Sequence, residues 1–203
     1  MKFSLADNKG FTLMEVVVAM ALFVVAVVLL VDIFTVTQKT QIKLSGKTRV
    51  QADARYVMEI IARYARNYRI DYDYIVNREG GEPIPAQLTY LPLRDEADNL
   101  ILFESSTSAN VCPSGVSECL AIQRNNSAWA SITPAGVNIQ SISFFISPRQ
   151  DPFTIDLTAG GYKSDNQPKV TIILISESTA VREGEKETNY LQTTVSSRVY
   201  KRY

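Results

Sequence analysis

The chain contains no histidine, which removes the usual general base, the Ser/His/Asp and Cys/His nucleophile arrangements and every imidazole metal site. Neither a G-x-G-x-x-G loop nor a Walker phosphate loop is present. The expectation is therefore a protein with no catalytic residues, cofactor or metal. Cysteine is scarce too, limited to Cys112 and Cys119. A zinc site needs about four ligands, which two thiols without imidazole do not supply. Pro113 and Gly115 lie between the two cysteines and can turn the chain back on itself. A Cys112–Cys119 disulfide is the expected state in an exported domain, with two free thiols as the alternative. Proline is missing before Pro83, tryptophan occurs once, at Trp129, and no internal repeat is visible. Net charge is absent as well: 21 basic residues balance 21 acidic ones, so the chain as a whole is not marked as a nucleic-acid binder.

What is present begins with length: 203 residues, 46% of them hydrophobic, enough for one membrane-proximal element and one globular core. The first ten residues are short and polar, with Lys2, Asp7 and Lys9. An apolar run then starts at Phe11 and, apart from Glu15, carries no charge until Asp32. A secretory signal places its apolar stretch before a small-residue cleavage site. Ala19-Met20-Ala21 matches that pattern loosely, but it sits inside the apolar run with more apolar residues after it. Val16 to Val31 is uncharged over 16 residues, about 24 Å of helix against a hydrocarbon core of about 30 Å. Extending the count to Phe11–Phe34 supplies the length but includes two acids. A carboxylate deep in a bilayer costs roughly 2.5–3.5 kcal/mol on insertion scales, so Glu15 needs a reason to be where it is.

Lys9-Gly10-Phe11-Thr12-Leu13-Met14-Glu15-Val16, joined directly to a long apolar helix, resembles the prepilin cleavage and methylation motif of type IV pilins and type II secretion pseudopilins. The resemblance implies cleavage between Gly10 and Phe11 on the cytoplasmic face by a prepilin peptidase, which then N-methylates Phe11. It makes Glu15 the acidic fifth residue of the mature chain and its assembly residue. Cleavage would create a cationic amine one helical turn before Glu15. A cation at a helix N-terminus opposes the macrodipole, whereas a carboxylate in the first turn favours it. Glu15 could thus neutralise its own amine or, as the family implies, that of a neighbouring subunit, which would set the stagger between subunits. The implied partners are the peptidase and methyltransferase, other pilins or pseudopilins, a filament assembly platform and the membrane. The implied location is the inner (cytoplasmic) membrane, single-pass with an exported C-terminal domain, and then a cell-surface or periplasmic filament.

With no proline to stop it, the helix is expected from about Phe11 to Asn67, with Gly46 as its one soft point. Many major pilins kink at a proline 22 residues into the mature chain; Asp32 stands there instead, which favours an unkinked helix or a minor subunit. Val50, Ala54, Val57, Ile61 and Ala65 recur at three- and four-residue spacing, with Met58 and Tyr64 widening the stripe, and this face is suited to packing on a sheet. Between Lys39 and Arg69 eight basic residues face only Asp53 and Glu59, with Lys39, Lys43 and Lys47 on one helical face. Phosphate contacts would use such a stripe, but no base-reading motif accompanies it, and solvated or subunit-facing charge is the preferred reading. The charge rule for membrane orientation opposes the family resemblance: four Lys/Arg follow the apolar run closely and two precede it. The cleavage motif is far more specific than a two-charge difference, and it is given precedence.

From about Tyr68 the pattern changes to short strand-like runs at Gln87–Leu93, Leu100–Glu104, Leu120–Arg124, Val137–Ser147, Val170–Ser176 and Tyr190–Tyr200, separated by turn clusters. Ile139, Ile142, Phe144 and Ile146 mix alternation with continuous apolarity, as a well-covered strand would. The expected fold class is α+β: a long N-terminal helix, membrane-spanning in its first half, packed on a C-terminal antiparallel β-sheet domain. The expected divisions are a leader at 1–10, an apolar helix at 11–34, its amphipathic continuation at 35–67 and a β-rich globular domain at 68–203. Val50–Tyr68 and Tyr190–Tyr200 resemble the minor-pilin group that includes PilW and the J-type pseudopilins, which implies a low-abundance subunit of an initiating or tip complex. Asp71 with Asp73, and Asp95 with Glu96 and Asp98, are acid clusters without the glycine and terminal glutamate of an EF-hand loop, and they read as solvated loop acids. Glu183, Glu185 and Glu187 read as an exposed loop, and Trp129 as either core or contact. Two functions remain: a structural subunit of a type IV pilus-like or type II secretion filament, or a filament-tip binding module for DNA uptake or surface adhesion. A membrane-anchored protein with a cytoplasmic domain is what the charge rule alone would support.

Overall fold

The structure is a computed structural model, and it describes residues 10–156, 161–162, 166–179, 186 and 188–198. The leader before Gly10, the Glu183–Glu187 loop acids and the last two residues of the expected Tyr190–Tyr200 strand lie outside the described residues. The chain divides into two compact units, Met1–Ser45 and Gly46–Tyr203. Helix α1 runs from Leu13 to Asn67, 55 residues without a proline, and starts and ends within two residues of the expected limits. In the first unit its large apolar side chains are exposed from Leu13 through Leu44.

In the second unit the amphipathic stripe becomes core. Val50, Ala54, Val57, Met58, Ile61, Ala62 and Ala65 are all buried, on a three- and four-residue rhythm that keeps them on one helical face. They share one cluster with Phe103, Phe144, Ile172 and Leu174 from the strands. Fully burying each of the Val, Ile and Met side chains contributes roughly 1.5–3 kcal/mol, so this face fixes the helix end to the sheets far more firmly than its exposed ion pairs do. Beyond the helix come β1 (Arg69–Ile70), α2 (Tyr72–Glu79), β2 (Tyr90–Arg94), β3 (Leu100–Ser106), β4 (Cys119–Arg124), β5 (Ala130–Ser131) and β6 (Val137–Ser147). They are followed by β7 (Ile155–Asp156), β8 (Gly161–Tyr162), β9 (Lys169–Ser178) and β10 (Thr188–Ser196).

The strands form a five-stranded sheet ordered β1-β2-β3-β4-β5, a three-stranded sheet ordered β10-β9-β6 and a two-stranded β7-β8 ribbon, all with antiparallel pairing. The α+β layout of a long apolar N-terminal helix and antiparallel sheets is therefore as expected. The six expected strands correspond to β2, β3, β4, β6, β9 and β10, with two differences. The expected Gln87–Leu93 strand splits: β2 starts at Tyr90, while Leu88 exchanges two backbone hydrogen bonds with Phe144 of β6, at 2.8 and 2.9 Å, and so ties the two larger sheets together. The apolar mixture along β6, whose Ile139, Ile142, Phe144 and Ile146 are all buried, comes from a register shift between Ile139 and Ser141. The shift changes the phase of the pleat, so Val137 and Ile139 before it and Ile142, Phe144 and Ile146 after it all reach the buried side.

Candidate functional site

At the start of α1 the sequence Thr12-Leu13-Met14-Glu15 has the Thr-x-x-Glu spacing of a capping box. Thr12 fills the cap position: its hydroxyl oxygen accepts from the Glu15 amide at 3.3 Å, and its carbonyl accepts from the amides of Glu15 at 3.0 Å and Val16 at 3.2 Å. The threonine of the expected cleavage motif thus starts the helix, leaving Gly10 and Phe11 as non-helical residues just before it. Gly10 is exposed, with nothing within 4 Å of where a Cβ would stand, and Phe11 is 81% exposed. Glu15 lies in the first helical turn, exposed, where a carboxylate is favoured by the helix dipole. Gly10, Phe11 and Glu15 therefore fall within one accessible turn and its approach. The capping role of Thr12 was not singled out in the sequence, although its signal, a threonine three residues before a glutamate, is there to be read.

Behind this cap the most apolar 18-residue window of α1 reaches a mean hydropathy of 3.1, and none of it is buried. The helix is long and apolar enough to cross a membrane by length and composition. A helix that is apolar on all sides needs an apolar surrounding, either lipid or other helices.

The acid clusters of the second unit have structural partners. Asp71 is buried; one carboxylate oxygen caps α2 by accepting from the Tyr74 amide at 3.0 Å, and the other accepts from Arg94 Nε at 2.6 Å. Asp98 accepts from Arg69 at 2.8 Å and from Arg94 at 3.3 Å. Asp95 accepts from the Asn99 side chain and backbone, both at 2.8 Å, and from the Ala97 amide at 2.9 Å, and these bonds, that of the Asn99 side chain foremost, hold its carboxyl below the usual range. The expectation of solvated loop acids is thus wrong for Asp71, which is buried and caps α2, whereas Asp95 remains an accessible loop acid that organises the 95–99 turn. For Arg94, burial works against the charged form, but the Asp71 bond and neighbouring carboxylates outweigh it and raise its pKa. On the far side of α2, Arg78 sits 3.9 Å from the centre of the Tyr90 ring and donates to Glu104 at 2.8 Å, while Tyr90 donates to Glu79 at 2.8 Å.

Cys112 and Cys119 are joined by a disulfide, so the alternative of two free thiols does not hold. The bridge lies in its own small buried cluster with Val116, remote in sequence from the N-terminal motif. Trp129 is half-buried against the main core. Of the basic residues near the helix, Arg49 pairs with Asp53 at 4.0 Å, Arg63 with Glu59 at 3.6 Å and Arg69 with Asp98 at 2.8 Å.

The family model described as the prokaryotic N-terminal methylation motif matches residues 5–31. No curated protein and no solved structure matches the chain. The matched stretch contains Gly10, Phe11, the Thr12 cap, Glu15 and the exposed apolar helix as far as Val31. The chain thus carries the prokaryotic N-terminal methylation motif at the head of a long apolar helix, with antiparallel sheets following in sequence, which supports the resemblance to type IV pilins and pseudopilins.

Proposed function

We propose that this protein is a structural subunit, a minor pilin or pseudopilin, of a type IV pilus-like or type II secretion filament. In this reading a prepilin peptidase removes residues 1–10 by cutting between Gly10 and Phe11, and Phe11 is N-methylated. The subunit waits in the cytoplasmic membrane on the apolar part of α1 with its C-terminal domain exported, and then passes into the filament. The observation that carries the reading is the methylation-motif match over residues 5–31 on a helix whose most apolar window is wholly exposed. Such a helix is stable in lipid or in a bundle of like helices, and passing from one to the other exchanges one apolar surrounding for another.

Local chemistry supports the division of roles. The Thr12 cap begins the helix two residues after the scissile bond, so the peptide from Gly10 to Phe11 lies outside the helical hydrogen-bond ladder and within reach of an enzyme. Once released, the Phe11 amine is a cation near the positive end of the dipole, and a carboxylate at Glu15 of its own or an adjoining subunit compensates it. Methylation leaves that charge in place. The disulfide and the absence of histidine are in keeping with an exported, structural role.

The test is intact mass and N-terminal sequencing of the protein purified from its own membranes, beside a Glu15→Val variant. The expected result is a mature chain starting at N-methylated Phe11 in both, with the variant depleted from sheared filaments. An intact Met1 start in cells that hold an active prepilin peptidase would sink the proposal and favour an anchored protein.

A further inference from the structure

The four cations that follow the apolar run have no role in the motif, and they contradict the charge rule for membrane orientation. We propose that Lys39 and Lys43 form a headgroup-binding face that holds anionic phospholipid on the exported side of the membrane while the subunit awaits assembly. The inference rests on the membrane-resident state described above and names what the helix meets where it leaves the bilayer.

Depth is the first argument. With Glu15 at the cytoplasmic boundary, a hydrocarbon core of about 30 Å accommodates about 20 helical residues and ends near Thr35. The headgroup layer adds roughly 5–7 Å on each side. Lys39 lies four residues past Thr35, about 6 Å further along the axis, and so falls in that layer. Lys43 stands one turn beyond, and its flexible four-carbon stem lets its ammonium reach back to the same plane while the stem stays against apolar surface. The helix is continuous through this stretch, so the register holds, and Thr37 and Thr40 donate their hydroxyls to Ile33 and Val36 carbonyls at 2.8 and 2.9 Å within it.

Charge is the second argument. From Ile33 to Ala52 the sequence holds four cations and no acid. Lys39 and Lys43 both belong to the first compact unit, are exposed, and are four residues apart on one face of α1. Two like charges at that spacing repel each other by a few tenths of a kcal/mol in an isolated helix. A phosphodiester layer between and around them reverses the sign of that contribution. Duplex DNA offers the same phosphate chemistry, but the lysines fall at the depth where headgroups are met first.

The experiment uses the full mature chain in vesicles of equal phosphatidylglycerol and phosphatidylcholine, and measures by spin-labelled lipids which headgroup occupies the protein-bound fraction. Two lysines in the headgroup plane are worth roughly thirtyfold in preference for the anionic lipid. The preference is expected to fall towards one in Lys39→Gln/Lys43→Gln, to fall with salt, and to survive in Lys39→Arg/Lys43→Arg. Equal occupancy of the two lipids, or a preference that the glutamine pair leaves unchanged, would overturn it. So would duplex DNA bound through these lysines on pure phosphatidylcholine vesicles without lipid selectivity, which would assign the face to nucleic acid. Carbonate-resistant flotation with phosphatidylcholine vesicles tests the membrane state separately: a chain that fails to float removes both readings, whereas one that floats without selectivity removes this one alone.

Discussion

Asp71 shows how much one side chain can organise. It caps α2, holds Arg94 and is almost inaccessible to solvent, so losing it leaves a capless helix and a guanidinium without its closest partner. Asp71→Ala is expected to destabilise the protein by about 3 kcal/mol, and Asp71→Asn by less because the amide oxygen can still cap. Chemical denaturation followed by circular dichroism measures both; equal losses would argue against a separate role for the cap. Tyr72 and Tyr90 give a second residue-scale expectation. Burial raises both phenol pKa values above the ordinary range, with Asp151 adding to the effect at Tyr72 and the Glu79 bond at Tyr90. A raised pKa in the fold means that their contribution to stability is fully present below the unfolded value near 10 and is lost as pH rises through the folded values. In an alkaline titration their phenolate absorbance should therefore appear together with loss of the fold. Ionisation of Tyr72 and Tyr90 while the native circular dichroism persists would contradict this.

Among the elements, α1 was the most legible, because a proline-free run with an unbroken apolar segment and then a 3.6-residue stripe leaves few alternatives. Its one weak position is Gly46, where the second compact unit begins. A Cβ there meets nothing within 4 Å, so Gly46→Ala should stabilise the local helix by about 1 kcal/mol. Amide exchange between Lys43 and Val50 in the full chain should slow several-fold, and unchanged exchange would show that this turn is already held by other contacts. Helix α2 was not anticipated, although Asp71 at its N-cap and Gly80 with φ 87° at its C-cap are ordinary signals. It is eight residues long and buries only Tyr72 and Ile75, too little apolar pattern to stand out before the caps are considered. The two-residue strands β1, β5, β7 and β8 had no pattern to detect, since pairing alone defines them.

For the whole molecule, the charge balance of the sequence conceals a segregated chain, with the long apolar run at one end and most carboxylates beyond it. The disulfide acts at this scale by restricting the unfolded chain. With a sequence separation of 7 it closes a short loop, for which chain-entropy reasoning gives about 2–3 kcal/mol. Cys112→Ser/Cys119→Ser should lower the denaturation midpoint by that amount while leaving helix content intact. A loss of helix signal would mean that the loop supports α1 as well as its own cluster. The proposed leader removal belongs to this scale too, because it would decide whether the apolar helix ends in a polar extension or in a charged amine.

The sequence by itself determined the N-terminal motif, the apolar helix and its amphipathic continuation, the α+β class and the positions of the principal strands, because each is written in local spacing, hydrophobic period or residue type. It also brought Gly10, Phe11 and Glu15 together, since they sit within six consecutive residues. Tertiary structure decided what depends on which groups meet in space. It chose the disulfide over free thiols, turned Asp71 from a loop acid into a buried cap paired with Arg94, bulged β6 so that two apolar phases share one face, and drew Leu88 across to Phe144. None of these has a local period to announce it: the disulfide depends on how its own short loop closes, and the others are fixed only when two segments apart in sequence compete for the same buried space or the same hydrogen bond.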